Sequence, residues 1–399
     1  MKINDKTSHN SPSLRFPEFT GEWEKCKLGT LATKVGSGST PKGGDAVYTS
    51  IGHYFVRSQN VGMGFLMLDN IAHINDDIHQ KHKATEIYEN DVLLNITGAS
   101  IGRTAVATKE LEGGNVNQHV CIIRTNSKVN PKFLCDYIQT QRIQNHIKSL
   151  QTGGSREGLN FEQIRSFPIS LPSINEQNKL TCLLDKINER IATQVRLIED
   201  LKKLRCAIVE KMFKQSKANG RLGDFIEQVS VRNKNGLYSN VLSVSNKQGF
   251  VKQSEQFEDR TVASEDTSNY KIVKRNNFAY NPARINVGSI ARLTKFDVGI
   301  VSPMYVCFRT KASIIPEYME AFFTSQQFFY EMMKRLEGSV RLCLSYEGLC
   351  NIPVYIPDMN KQIAMGQNIS LILSKIGLEI EYLGRLHQQK QYLLRKMFI

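Results

Sequence analysis

Three short runs place hydrogen-bonding side chains close enough together to read the edges of nucleic-acid bases: Arg57-Ser58-Gln59-Asn60, Asn117-Gln118-His119 and Arg284-Ile285-Asn286. Arginine, glutamine and asparagine carry the paired donors and acceptors that match base edges in a major groove. A fourth run, Gly36-Ser37-Gly38-Ser39-Thr40-Pro41-Lys42-Gly43-Gly44, is flexible and donor-rich, and its Ser39, Thr40 and Lys42 suit phosphate. It lacks the G-x-x-x-x-G-K-[ST] spacing of a nucleotide-binding loop and no helical pattern follows it, so an ordinary exposed turn is the competing reading. Arg156 and Arg341 hold matching places in two glycine-containing turns, Gly153-Gly154-Ser155-Arg156 and Gly338-Ser339-Val340-Arg341. A base or phosphate contact and a brace between turn and helix are both open to them. Arg103 and Arg292, beside or within candidate strands, complete the set.

Catalytic chemistry is harder to find. A base methyltransferase needs a cofactor-binding glycine turn and an Asn/Asp-Pro-Pro-aromatic motif whose ring stacks on a flipped base. Tyr280-Asn281-Pro282-Ala283 stops halfway, without the second proline or the aromatic, and reads as a strand-end turn. Neither a Walker motif nor an acidic cluster for metal-dependent phosphodiester cleavage is evident. His73, His79 and His82 have no accompanying ligand set and are expected in a surface loop.

The charge balance favours a polyanionic partner: 52 Lys+Arg stand against 38 Asp+Glu, a net charge of +14 in 399 residues. Eight cysteines without a C-x-x-C pair argue for reduced, buried thiols rather than a disulfide frame or zinc site. With no run of 18 apolar residues and a polar stretch from Met1 to Ser13, the expectation is a cytoplasmic protein without a membrane partner.

What must position these residues repeats. At an offset of 185, Pro168, Pro172, Gln177, Met212 and Phe213 fall on Pro353, Pro357, Gln362, Met397 and Phe398, and Leu159 falls on Leu344. Upstream the register slips, with Leu28-Gly29 meeting Leu222-Gly223 at an offset of 194. The back of each copy is constant and the front varies, which predicts a shared frame carrying two different recognition surfaces. The fold class expected is mixed α/β (α+β): two recognition domains, each followed by a long helix. Expected boundaries are 1–173 and 220–357 for the domains, and 174–219 and 358–399 for the helices.

Candidate strands are Asp91–Thr97, Thr104–Thr108 and Val120–Arg124, with counterparts Asn277–Asn281, Ser289–Leu293 and Tyr305–Arg309. Each set leads into a proline-opened helix, Pro131–Leu150 and Pro316–Leu336. The long helices carry apolar stripes at three and four spacing: Ile187, Ile191, Val195, Ile198, Leu201, Leu204, Ile208 and Met212, matched by Ile372, Ile376, Ile380, Leu383, Leu386, Gln389, Leu393 and Met397. A narrow seam of this kind suits another helix, so the two are expected to pair antiparallel as a coiled coil, with Leu204 against Gln389 as its polar defect. Ser173 and Glu176 form a capping-box pattern for the first helix, and Asp358 can cap the second.

These features resemble one family, the DNA specificity subunits of type I restriction-modification systems. The resemblance rests on Leu14-Arg15-Phe16-Pro17-Glu18-Phe19-Thr20-Gly21-Glu22-Trp23 with Lys27-Leu28-Gly29, on Gly98-Ala99-Ser100-Ile101-Gly102 with Asn117-Gln118, and on the Pro-x-x-x-Pro segment before Glu176-Gln177. It covers nearly the whole chain. It implies that each domain reads one half of a split target in double-stranded DNA and that the helices set the gap. Two modification subunits would dock partly on the helices, binding S-adenosylmethionine and methylating adenine. Restriction subunits would add ATP-driven translocation and Mg-dependent cleavage. This chain would bind none of these cofactors and would not itself be an enzyme. Ser302-Pro303 stands where the first copy has Asn117-Gln118, so contacts there do not carry over. Two other classes remain in view, a stand-alone DNA-modifying enzyme and a helical scaffold whose basic surface is incidental.

Overall fold

The computed structural model describes residues 10–151, 158–214, 217–246, 248–256, 266–339 and 341–399. It divides into two compact units, one of Met1–Thr193 with Leu383–Ile399 and one of Gln194–Tyr382. Each long helix therefore contributes to both units.

The first unit is built on a four-stranded antiparallel sheet in the order Ala32–Ser37, Val120–Thr125, Val92–Asn95, Thr104–Val106. These short runs of branched and apolar residues bury one core under helix Pro131–Ile138. A second core lies beneath the sheet of His53–Val56, Ala72–Ile74 and Asn115–Val116. The second unit repeats the four-stranded order with Ile226–Gln228, Val306–Thr310, Phe278–Tyr280 and Ile290–Arg292. Its remaining strands form two separate antiparallel pairs, Leu242–Ser245 with Gly249–Lys252 and Lys271–Lys274 with Val298–Val301. The repeated sheet takes its first strand from the slipped register and its other three from the part where the register holds, and the flank between them differs.

The repeated residues are the joints of that frame. Gln177 is buried; its side-chain oxygen accepts from Asn130 N at 2.8 Å, and its amide donates to the carbonyls of Lys128 and Pro172. Gln362 does the same with Ile315 N, at 3.0 Å, and the carbonyls of Ser313 and Pro357. Leu28 N and Leu222 N donate to Phe167 and Ile352 oxygens, each at 2.9 Å. Close approach explains the adjacent glycines: a Cβ on Gly29 would lie 3.1 Å from Arg165 Cβ, and one on Gly223 would lie 3.0 Å from Cys350 Cβ. Phe398 stacks on Phe133 in the first unit, and Phe213 packs on Tyr318 and Phe322 in the second. The end of each long helix thus plugs the core of the unit built on the other copy.

The long helices run Ile174–Lys214 and Met359–Met397, 41 and 39 residues, with the first about 61 Å long at the α-helical rise. Ser173 Oγ accepts from Glu176 N at 3.4 Å and Asp358 Oδ1 from Lys361 N at 3.0 Å, so both caps form. Glu176 does not complete a capping box, because its carboxylate takes a two-pronged bond from Arg15, both at 2.7 Å, and a third from Trp23 Nε1.

The helices pair antiparallel, but the seam differs from the expected stripe. Ile187, Ile198, Ile376 and Leu386 are buried, and Ile191, Leu201, Ile208, Ile372, Leu383 and Leu393 half-buried, as a seam requires. Val195 and Ile380 are not in it; they are 38% and 50% exposed. Gln194 and Glu379 take their places, Gln194 donating to the Glu379 backbone oxygen at 3.1 Å and to its carboxylate. The reason is rotational: two successive four-residue steps turn a position off the helix face, whereas alternating three and four keeps it on. Leu204 and Gln389 are likewise exposed, and the seam holds Arg205 and Lys390 instead.

The expected single helices after Pro131 and Pro316 each break in two, giving Pro131–Ile138 and Gln141–Gln151, and Pro316–Phe322 and Gln326–Met333. The hydroxyls of Thr140 and Ser325 donate to Tyr137 and Phe322 carbonyls at 2.7 Å and compete with the helical ladder. Cys121, Cys135 and Cys307 are buried, and burial pushes each thiol up to about 12. Cys182 and Cys206, expected inside, are exposed on the first long helix. His79 is no surface-loop residue: it is buried, stacked on His53 with ring centroids 3.8 Å apart, and bonded to Asn115. Among the described residues no helix is long and apolar enough to cross a membrane, and no group of three His, Cys, Asp or Glu could hold a metal ion.

Candidate nucleic-acid interface

In the first unit four turns converge at one end of the main sheet. Gly38 N donates to Asn117 O at 3.2 Å, drawing the glycine-rich loop onto the turn after Val116. A Cβ on Gly38 would lie 1.6 Å from Val116 O, so only glycine fits. Asn95 Nδ2 holds the Ser58 carbonyl at 2.8 Å, tying in the Ser58–Asn60 turn. Ile96 N donates to His119 O at 3.0 Å, and Thr97 bridges Gly158. Across this rim run side-chain bonds: Thr40 Oγ1 to Gln118 Oε1, Gln118 Nε2 to His119 Nε2 at 3.2 Å, and His119 Nδ1 with Thr97 Oγ1 at 2.5 Å.

Of the sequence candidates, Ser39, Thr40, Lys42, Gln59, Arg103 and Gln118 are exposed, and Arg57 is half-buried with its guanidinium 5.4 Å from the Tyr48 ring. Ser39 Oγ bonds His82 Nδ1 at 3.0 Å. Asn60 and Asn117 are corrections. Asn60 is buried, its oxygen accepting from Arg57 N and its amide donating to Met67 O. Asn117 is buried and accepts from His119 N at 3.0 Å. Both asparagines shape the turns that present their neighbours. Arg156 lies outside the described residues.

The corresponding rim of the second unit is made of other chemistry. Leu344 N donates to Pro282 O at 3.1 Å, and Tyr280 Oη donates to Leu344 O, which fixes the segment after Arg341 to the strand end before Arg284. Arg284 and Arg341 are exposed and Asn286 half-buried. Met304 stands at the position of His119 and is 62% exposed, with Asn281 Nδ2 donating to its sulfur at 3.9 Å. Arg292 is a third correction. It is nearly buried between Glu317 and Glu320, with Nε 2.9 Å from the latter's Oε2, and braces sheet to helix.

Behind each rim, at equivalent places, lies a groove. That of the first unit, about 340 Å³, is lined by Phe65, Lys132, Asp136, Gln139 and Asp185. The second, about 280 Å³, is lined by Arg205, Arg292, Lys295 and Glu320. Lys390 Nζ donates to Gln139 Oε1 at 3.0 Å beside the first. Burial pushes the Asp136 carboxyl up to about 7, against the pull of Lys390. Burial also raises Glu320, with Arg292 and Arg205 opposing. Lys390 and Arg205 are repeat equivalents, so each unit receives one cation from the other copy's helix. The sequence stripe missed both because it counted apolar positions only.

Comparison with known proteins places this frame. Residues 20–203 match the family described as type I restriction modification DNA specificity domain. The chain is 24% identical over 135 residues, 33% of its length, to the EcoBI type I restriction enzyme specificity subunit of Escherichia coli. It is 20% identical over 208 residues, 51% of its length, to the putative MjaX specificity subunit of Methanocaldococcus jannaschii. These matches span 28% and 48% of those proteins. In fold it is similar to the crystallised type I restriction-modification S subunit from M. genitalium, with a TM-score of 0.59 at 17% identity, covering 98% of this chain and 99% of that one. A chain of another solved type I R-M system gives a TM-score of 0.57 at 14% identity, covering 94% and 97%. Two repeated units, paired helices and the matched domain agree: residues 20–203 match the type I restriction modification DNA specificity domain, and the whole chain has a fold similar to that of a crystallised type I S subunit.

Proposed function

We propose that this chain reads a split sequence in double-stranded DNA, each unit contacting one half-site, and has no catalytic centre of its own. The observation that carries this reading is one repeated frame with two unlike rims: the same glutamine clasps and phenylalanine plugs, but Thr40-Gln118-His119 in the first unit and Arg284-Met304-Arg341 in the second. A net charge of +14 supplies attraction to phosphate. In this reading residues 1–173, 174–219, 220–357 and 358–399 serve as reader, spacer, reader and spacer. The paired helices set the gap between half-sites and offer the docking surface for two modification subunits. S-adenosylmethionine, ATP and Mg belong on those subunits and on the restriction subunits, which carry adenine methylation and ATP-dependent cleavage in the cytoplasm.

The test is a band shift with the chain and its modification subunits over a panel of duplexes. Preference for one bipartite site, with affinity falling steeply as salt rises, is the expected result. Equal binding to every duplex contradicts sequence reading, and modification or cutting of DNA by the chain alone contradicts the non-catalytic assignment.

A further inference from the structure

We propose that Gln118 reads an adenine in the half-site of the first unit, its amide held for that purpose by Thr40 and His119. The inference rests on the reading above, that this rim meets duplex DNA. A glutamine amide has two acceptor lone pairs and two N–H donors. Thr40 Oγ1 donates to Oε1 and so occupies one lone pair, while one N–H is given to His119 Nε2 at 3.2 Å. One acceptor lone pair and one N–H of the same amide remain on an exposed residue.

That outward edge is fixed from behind. Because His119 Nε2 accepts from the amide, Nδ1 carries the ring proton and donates to Thr97 Oγ1, 2.5 Å away. Thr97 is bridged to Gly158, and the His119 carbonyl is held by Ile96 N at 3.0 Å. A pre-ordered amide loses little side-chain freedom on binding. In the major groove adenine alone presents a donor beside an acceptor, N6–H and N7. Guanine offers two acceptors, cytosine a donor, and thymine an acceptor with a methyl group. The free pair on Gln118 therefore matches adenine and leaves an unpaired group against each other base.

The second unit cannot repeat this contact, since Pro303 and Met304 stand where Gln118 and His119 do and neither presents a donor beside an acceptor. This glutamine contact belongs to one half-site only.

The experiment selects bound duplexes from a randomised pool, using the full chain with its modification subunits, wild type against Gln118→Ala. Circular dichroism verifies the fold of the variant. The wild type should require adenine at one position of one half-site. The variant should lose about 10–100-fold of discrimination there and keep every other position. In wild type, 7-deazaadenine at that position, which lacks the N7 acceptor, should weaken binding about tenfold, and in the variant it should have no further effect. Wild-type preference retained at every position by Gln118→Ala, loss at a base other than adenine, or uniform weakening across all sequences each overturns the inference while the bipartite reading stands. A wild type without sequence preference overturns that reading, and the inference with it.

Discussion

The two units have the same skeleton and different fillings. At the helix entry, Gln177 and Gln362 make the same three hydrogen bonds to matching backbone groups. One residue earlier the likeness ends. Glu176 is buried against Arg15 and Trp23, whereas its counterpart Lys361 is exposed and paired with Asp358. At the rims the difference is larger: a hydrogen-bonded polar chain in one unit, arginines and an exposed methionine in the other. Apart from Glu176, the clasps, plugs and close approaches keep their residue types while the rims diverge.

The sharpest break in that comparison is at Glu176. Glu176→Ala leaves the Arg15 guanidinium, only 14% exposed, without its partner and should destabilise the first unit by about 3–5 kcal/mol. Lys361→Ala, at the equivalent surface position, should change stability by no more than about 0.5 kcal/mol. Urea titration with hydrogen exchange localised to each unit measures both.

Next come the shared clasps. Gln177→Ala and Gln362→Ala each strand three backbone groups, at about 1 kcal/mol per lost partner once water enters, so each should destabilise its own unit by about 3 kcal/mol. Near-equal effects uphold the common frame, and an effect in one unit only breaks it.

A smaller effect is visible in pH. The Asp136 carboxyl rises from 3.8 to about 7 on burial, with Lys390 and Lys132 pulling it down and Asp185 adding to the rise. The folded unit then binds the proton more tightly than the unfolded chain, so this group's contribution falls as pH climbs between those values and is level above. Asp136→Asn should therefore raise Tm more at about pH 8 than at about pH 5. Ala321 occupies the equivalent place in the second unit, where burial also raises the neighbouring Glu320 but Arg292 and Arg205 oppose it.

Much of the frame was legible in the residues. The register pairs Gln177 with Gln362, Phe213 with Phe398 and Leu28-Gly29 with Leu222-Gly223 turned out to be clasps, plugs and a close approach, because a repeated joint constrains residue type. The six candidate strands lie within a residue or two of the observed ones. Seam polarity was not legible: Gln194 and Glu379 look like surface residues until their mutual bond is seen. Nor was the fate of Asn60, Asn117 and Arg292, since an amide or guanidinium that serves its own backbone or a neighbouring carboxylate has the same letter as one that faces a ligand. Thr97 at the rim went unnoticed for lack of any spacing signal; only the fold brings it to His119.

The central claim, one frame with two independent readers, is tested most directly by disarming one rim at a time. Duplexes bound by the complex carrying Thr40→Ala with Gln118→Ala are to be sequenced against those bound with Arg284→Ala and Arg341→Ala. The account predicts that each pair lowers preference within a different half-site, at one position for the Thr40 and Gln118 pair, and leaves the other half and the gap intact. Loss of the same half by both pairs, or a single uninterrupted motif degraded throughout, contradicts it.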